Sequence, residues 1–365
     1  MQIDFHHAVT YVVARLAGFA HAKAEVIAHA AQYVDDATNE GLISFDNQAM
    51  YQRIASAHKM IDYKNIQKLA NHQVWIPFHF LPGNEGLAAG ENPDADFRHK
   101  IVCRPNSFVA QEMVRACIND HQKPNALHRL GITMHVFADT WAHQGFSGIN
   151  DRINLVEDVL DENNDPDPSL LIQVKNYFLD RFDEAQSQFV GGLLPLGHGA
   201  ALSYPDRPYL KWHYTNGEGL HIERDNPKDF ITAADEMCKA MRRFQLGDAD
   251  AKVAGLSPES RHQLETMMRE IVEENGDKRH KVWLNAIANE AFGFPAEKLR
   301  YVAKGVGSWK YQAIKDNRAK QLKHQIYSYH PSFLDSDWKH FHDALQAHRF
   351  AVIHEILPRY GISAA

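Results

Sequence analysis

The segment His135-Val-Phe-Ala-Asp139-Thr-Trp-Ala-His143 sets three metal-ligating side chains four residues apart in a run that is otherwise mostly apolar. On an α-helix each residue turns by about 100°, so each four-residue step rotates only about 40° and all three side chains share one face. The rise is about 6 Å per step and about 12 Å from His135 to His143. Neighbouring members can share one zinc, because zinc–ligand bonds are only about 2 Å long. The two end histidines are too far apart to share one easily. The spacing therefore favours at least two metals, with Asp139 serving one or bridging two. A solvated polar face with i,i+4 pairs would show the same spacing. The flanking Leu130, Ile132, Met134, Val136, Phe137 and Trp141 oppose that reading. Polar groups presented from so apolar a helix need partners, and metal supplies them.

The remaining ligands must come from elsewhere in the chain. Cysteine is scarce, with Cys103, Cys117 and Cys238 in no CxxC spacing, which leaves neither a thiolate site nor a disulfide framework. Histidine is abundant at 23 copies, and it recurs with acids in several places. Asp4, His6 and His7 cluster near the start. Asp35 and Asp36 close a helical stretch. His79 sits in Trp75-Ile-Pro-Phe-His-Phe-Leu-Pro, where two prolines restrict the backbone, and His198 lies in Leu196-Gly-His-Gly ahead of Asp206. Each is weak alone, and His7, His72 and Asp36 suit supporting roles equally well. Together they supply the nitrogen and oxygen ligands that two or three zinc ions require.

Apolar residues recur at helical spacing along most of the chain. Helices are expected over 9–17, 22–36, 107–119, 125–144, 169–189, 232–246, 258–275, 278–291 and 338–357. A Gly/Pro-rich irregular segment at 191–208 suits a loop lining a site. No alternation long enough for a large sheet stands out, so the expectation is all-α, a multi-helix bundle. Residues 1–215 would form the catalytic core and residues 216–365 a helical C-terminal region, packed on the core or forming a small second domain. His340, His342, His348 and His354 fall on one amphipathic stretch, where surface and core roles are commoner than ligation. A net charge of −7 argues against a stable nucleic-acid partner. The first residues lack the basic region of a signal peptide, and the apolar stretch 9–20 is too short to span a bilayer. A cytoplasmic location is the default expectation, and export by a specialised secretion system is compatible with it.

The ordered series of an N-terminal His, an Asp, a His, then H-x3-D with a further His, and a final His/acid pair resembles the zinc-dependent phospholipase C and S1/P1 nuclease superfamily. The helix motif up to Phe146, preceded by His128-Arg-Leu-Gly, is similar to a closer branch, the zinc metallophospholipase C family of bacteria and fungi known from Legionella and Pseudomonas. Asp4-Phe-His, Ala14-Arg-Leu-Ala-Gly-Phe19, Gln32-Tyr-Val-Asp-Asp36, Pro77-Phe-His-Phe and Gly197-His-Gly also resemble that branch. The resemblance covers roughly residues 1–215. It implies a helical fold and a trinuclear zinc centre. Asp35 (or Asp36), His79, His135 and Asp139 would hold one zinc. Asp139 would bridge to a second, completed by His6 and a group near the N-terminus, and His143, His198 and Asp206 would hold the third. The better-known enzymes place the last helix histidine two residues further on. They also use an N-terminal tryptophan as ligand, a place assigned here to Asp4.

The function this implies is a phospholipase C, cleaving the glycerol-side phosphodiester of phosphatidylcholine-like lipids at a membrane surface by metal-activated water. Asp139 would bridge metals, and Asp35 or Asp36 would orient the attacking water or take its proton. Phe5, Phe78, Phe80, Trp141, Phe146, Tyr204 and Trp212 offer a choline or lipid pocket, although core packing is their commoner role. Two alternatives remain: a nuclease or other phosphoesterase on the same zinc cluster, and a helical effector or binding protein in which zinc is structural.

Overall fold

Helix α6 (Ala126–Ala142) is buried on every side from His128 onward, and its own sequence explains why. A helix with apolar residues on every side cannot lie on a surface, so the rest of the chain wraps it and its polar side chains find partners inside. The computed structural model describes residues 1–57, 68–94, 96–161, 196–316 and 325–363. The helix expected over 169–189 lies outside the described residues.

In chain order, a π-helical turn at Asp4–Val9 runs into α1 (Thr10–Ala17), which Gly18 ends at φ +108°. There follow α2 (His21–Asp36), the hairpin β1 (Gly41–Phe45) and β2 (Met50–Arg53), α3 (Lys68–Phe78), α4 (Phe97–Ile101) and α5 (Phe108–Asn119). After α6 come β3 (Val156–Asp161), β4 (Lys211–Asn216) and β5 (His221–Asp225). The C-terminal half adds α7 (Asn226–Leu246), α8 (Pro258–Glu270), α9 (Gly276–Ala288), α10 (Trp309–Ile314), β6 (Ile326–Tyr327) and α11 (Asp337–Phe350), which continues as a π-helical turn at Ala351–Ile356. Side-chain caps mark several starts, among them Ser107, Asp225, Ser257 and Ser336, each accepting a hydrogen bond from the first turn.

The all-α expectation is overturned: the described residues are 54% helical and carry two three-stranded sheets, a mixed α/β architecture. In one sheet β1 lies between an antiparallel β2 and a parallel β6; in the other β4 lies between antiparallel β3 and β5. The strands are two to six residues long, too short to display a convincing period of two. A local signal does exist in β4, where Trp212 and Tyr214 are buried and alternate with half-buried neighbours. The Asn216-Gly217-Glu218-Gly219 stretch that follows is turn chemistry of the kind that closes a hairpin.

The largest apolar cluster does not respect a boundary near residue 215. Phe5, Val12, Leu130 and Phe137 share it with Phe230, Met237, Met241, Trp283 and Val352. Helix α9 packs on the Asp4–Val9 turn and α11 on α6, so C-terminal elements reach the motif helix and the His6 turn. A second cluster joins Tyr33, Phe45, Trp309, Trp338 and Phe341, and a third gathers Phe80, Phe146, Tyr204, Trp212 and Tyr214. Among the described residues no helix is long and apolar enough to cross a membrane.

Candidate metal centre

The inner face of α6 presents His135, Asp139 and His143 to a buried site that four other segments complete. The π-helical turn brings His6, the end of α2 brings Asp35, the residue after α3 is His79, and the loop before β4 carries His198 and Asp206. Three groups of potential ligands result: His6, Asp35 and His135; His79, His135 and Asp139; and His143, His198 and Asp206. Within each, the ligand atoms lie within 4.8 Å of one another. His135 and His143 fall in different groups. Asp139 stands between them, with Oδ2 3.2 Å from His135 Nε2 and 3.6 Å from His143 Nδ1, while Oδ1 is 3.2 Å from His6 Nε2.

Four of these rings are oriented the same way. His135 Nδ1 donates to Ala31 O at 2.8 Å, His79 Nε2 to Ser56 O at 2.9 Å, His143 Nδ1 to His79 O at 2.7 Å, and His198 Nδ1 to Leu202 O at 2.6 Å. A carbonyl can only accept, so each bond places the proton on that nitrogen and leaves the opposite one as a lone pair. Those free nitrogens face carboxylates: His79 Nδ1 and His135 Nε2 each lie 3.8 Å from Asp35 Oδ1, His143 Nε2 lies 3.4 Å from Asp206 Oδ1, and His198 Nε2 lies 3.6 Å from Asp206 Oδ2. Metal-ligating histidines are held in this manner, by a hydrogen bond from the other ring nitrogen. Both ring nitrogens of His6, Asp139 Oδ2 and Asp206 Oδ1 are buried without a hydrogen-bond partner. Groups so placed need partners, and a divalent cation matches the donor set.

Protonation states agree with that fit. Burial lowers the pKa of His6, His135 and His198 to about 4, so these rings are neutral near pH 7. Burial would raise Asp139 and Asp206, but the positive charge around them, the Met1 ammonium included, holds both well below the usual carboxylate range. The Met1 amino group lies 2.7 Å from Asp139 Oδ1 and 3.1 Å from Asp206 Oδ1. Burial lowers its pKa, yet Asp139, Asp206 and Asp35 together raise it to about 11. The site is thus an anionic well that draws in positive charge.

Two assignments change. Asp4 is not part of the centre: it is buried in an ion pair with Arg279, at 2.6 Å from Nε, and the Met1 amino group lies against Asp139 where Asp4 was expected. Asp36 also turns away, accepting a 2.6 Å hydrogen bond from Tyr301 and leaving Asp35 as the carboxylate near His79 and His135. Neighbouring residues on a helix diverge by about 100°, so only one of an Asp-Asp pair can face a given point.

The seven aromatic residues offered as a lipid pocket are all buried in the apolar clusters. Phe80 has a local task, its ring stacked on His143 at 4.6 Å. The space beside the centre is a polar cavity of about 800 Å³, lined by Met1, Asp35, Asp36, Glu274, Asp277, His280 and Tyr301 among others. Much of that wall comes from the C-terminal half, where the sequence shows no motif. Arg224 was missed for the same reason: its guanidinium donates to Trp141 O and Ala142 O, both at 3.0 Å, and so caps the end of α6 beside His143.

Compared with known proteins, residues 1–356 match a family described as being of unknown function (DUF6765). No curated protein and no solved structure matches the chain.

Proposed function

The chain belongs to this family of unknown function, and from its own residues we propose that it is a zinc-dependent phosphodiester hydrolase, acting as a phospholipase C on phosphatidylcholine-like lipids. The observation that carries the reading is the convergence of His6, His79, His135, His143 and His198 with Asp35, Asp139 and Asp206, the tautomers of every ring but His6 set by backbone carbonyls. His6, Asp35, His79, His135 and Asp139 would hold metal at one end of the site, and His143, His198 and Asp206 at the other. Zinc bound there supplies Lewis acidity toward phosphate oxygens and lowers the pKa of its water to about 7.

Asp35 is the member of this set that lines the cavity. Its Oδ2 accepts from Gln32 at 3.3 Å and its Oδ1 faces His79 and His135. Burial raises its pKa, partly offset by those histidines, which makes it a better proton acceptor than an ordinary aspartate. It is placed to orient the attacking water and take its proton. Asp139, held ionised, keeps the charge of the ligand shell fixed.

The cavity has the size of a small-molecule site. Asp35, Asp36, Glu274 and Asp277 face it, with no lysine or arginine among the described residues that line it. That wall disfavours a polyanion such as nucleic acid and favours a phosphodiester whose charge is balanced by a cationic headgroup. The phospholipid substrate rests on this charge pattern and on the resemblance of the motifs.

Metal analysis and a lipid assay test the proposal. The purified protein is expected to carry about two to three zinc ions per chain and to release phosphocholine from phosphatidylcholine vesicles. Asp139→Asn should lose both metal and activity. A protein that binds no metal, or full activity in that variant, overturns the proposal. Cleavage of single-stranded DNA without lipid hydrolysis would move the substrate to nucleic acid.

A further inference from the structure

We infer that His280 is a substrate-facing hydrogen-bond donor of this site, its Nδ1–H held toward the cavity for an oxygen of the phosphoryl group. The inference rests on the phosphodiesterase reading and adds a residue that the ligand set does not contain. His280 lies on α9 and lines the cavity with Met1 and Asp35. Its Nε2 is 2.9 Å from Nδ1 of His7, a ring that is fully buried.

One proton bridges the two rings, and burial decides its place. If His280 donated, His7 would carry its own proton on Nε2, where it has no acceptor. If His7 Nδ1 donates, His7 keeps only a bare lone pair at Nε2. A buried orphan N–H is the rarer defect, and an under-satisfied acceptor is better tolerated. His280 therefore accepts at Nε2, and its neutral ring carries the proton on Nδ1.

That nitrogen makes no hydrogen bond among the described residues, and it is not one of the buried unpartnered atoms. Burial also lowers the pKa of His280 to about 4, against the pull of Asp277, so the ring stays neutral near pH 7. Two side-chain donors beside Asp35 on the wall, Tyr301 and Gln32, are committed. Tyr301 donates to Asp36, Gln32 donates to Asp35 and Asp36, and the carboxylates only accept. A phosphoryl oxygen entering this acidic wall needs a donor, and His280 supplies one whose tautomer His7 has set.

The test uses the zinc-loaded full chain with inorganic phosphate as probe. Long-range ¹H–¹⁵N spectra should place the His280 proton on Nδ1, and calorimetry should show phosphate binding. His280→Phe is expected to weaken phosphate binding by about ten- to a hundredfold, the usual worth of a hydrogen bond to a charged group, with zinc content unchanged. His280→Asn, whose amide nitrogen stands close to the place of Nδ1, should recover most of the loss. Wild-type affinity in His280→Phe overturns the inference, as does a proton found on Nε2. If the zinc-loaded wild type binds no phosphate while its His280 proton sits on Nδ1, the phosphodiesterase reading fails, and the donor role falls with it.

Discussion

At the scale of the residue, the centre is governed by which atom of each side chain is already in use. His135, His79, His143 and His198 each spend one N–H on a carbonyl and keep the other nitrogen as a lone pair beside the carboxylates. Leu202, which supplies one of those carbonyls, sits at φ +49°, an unusual backbone for a branched residue and one that aims its carbonyl at His198. Gly197 beside it has φ +55°, and a Cβ there would stand 2.2 Å from the Phe80 ring that stacks on His143. The same logic separates Asp35 from Asp36. Asp35→Asn should lower zinc affinity at least tenfold, whereas Asp36→Asn, which changes a carboxylate paired with Tyr301, should change it by less than about threefold; supporting residues around ligands cost more than that only when they touch the ligands. Competition against a zinc chelator reads both, and equal losses in the two variants would return Asp36 to the ligand shell.

At the scale of the element, α2 and α6 must lie close enough for Ala31 O to reach His135. Gly131 permits this, because a Cβ at that position would meet Ile27 O at 2.3 Å and Ala30 Cβ at 2.7 Å. Gly131→Ala is expected to cost about 1–3 kcal/mol as an overpacked contact. It should also weaken zinc binding about tenfold by displacing the carbonyl behind His135. A loss of melting temperature with unchanged zinc affinity would show that the Ala31 bond does not position the ring. Arg224 acts at the other end of α6, where its buried guanidinium meets two terminal carbonyls and Asp229. Arg224→Leu removes the charged partner of Asp229 and a donor to both carbonyls, leaving Gln144 as a donor to Trp141 O and Asp229, and is expected to cost about 3–5 kcal/mol, measured by chemical unfolding.

Across the whole molecule, burial of neutral histidine makes stability depend on pH. His29, His342 and His348, away from the candidate site residues in sequence, are buried, and burial lowers each pKa from 6.5 to about 3. The unfolded chain takes up these protons below pH 6.5 while the folded chain does not until about pH 3. Their contribution is therefore complete above 6.5 and lost as pH falls, at about 1.4 kcal/mol per pH unit for each group. Urea unfolding of the metal-free protein should show a clearly lower midpoint at pH 5.5 than at 7.5, a window above the ordinary carboxylate range. A flat midpoint would mean that these rings are already charged in the fold. Residues from both halves build one apolar cluster, so a chain ending at residue 215 should fail to fold, seen as loss of cooperative unfolding and of zinc binding.

The sequence by itself determined the donor chemistry of the candidate site and the face that carries three of its residues. His135, Asp139 and His143 need only the helical period to align, and the same period marks α2, α5 and α6 to within about two residues. Short strands escaped because two to six residues carry too little periodicity, even where Trp212 and Tyr214 alternate as they should. What only the tertiary structure decided is which of two adjacent acids faces the centre, that Asp4 belongs to Arg279, and that α9 and Tyr301 wall the cavity. Each of those outcomes depends on contacts between residues far apart in the chain, and on backbone carbonyls, which every residue possesses and no sequence pattern distinguishes. The ring tautomers follow from the same source. Composition and spacing name the donors; packing determines which of their atoms remain free to act.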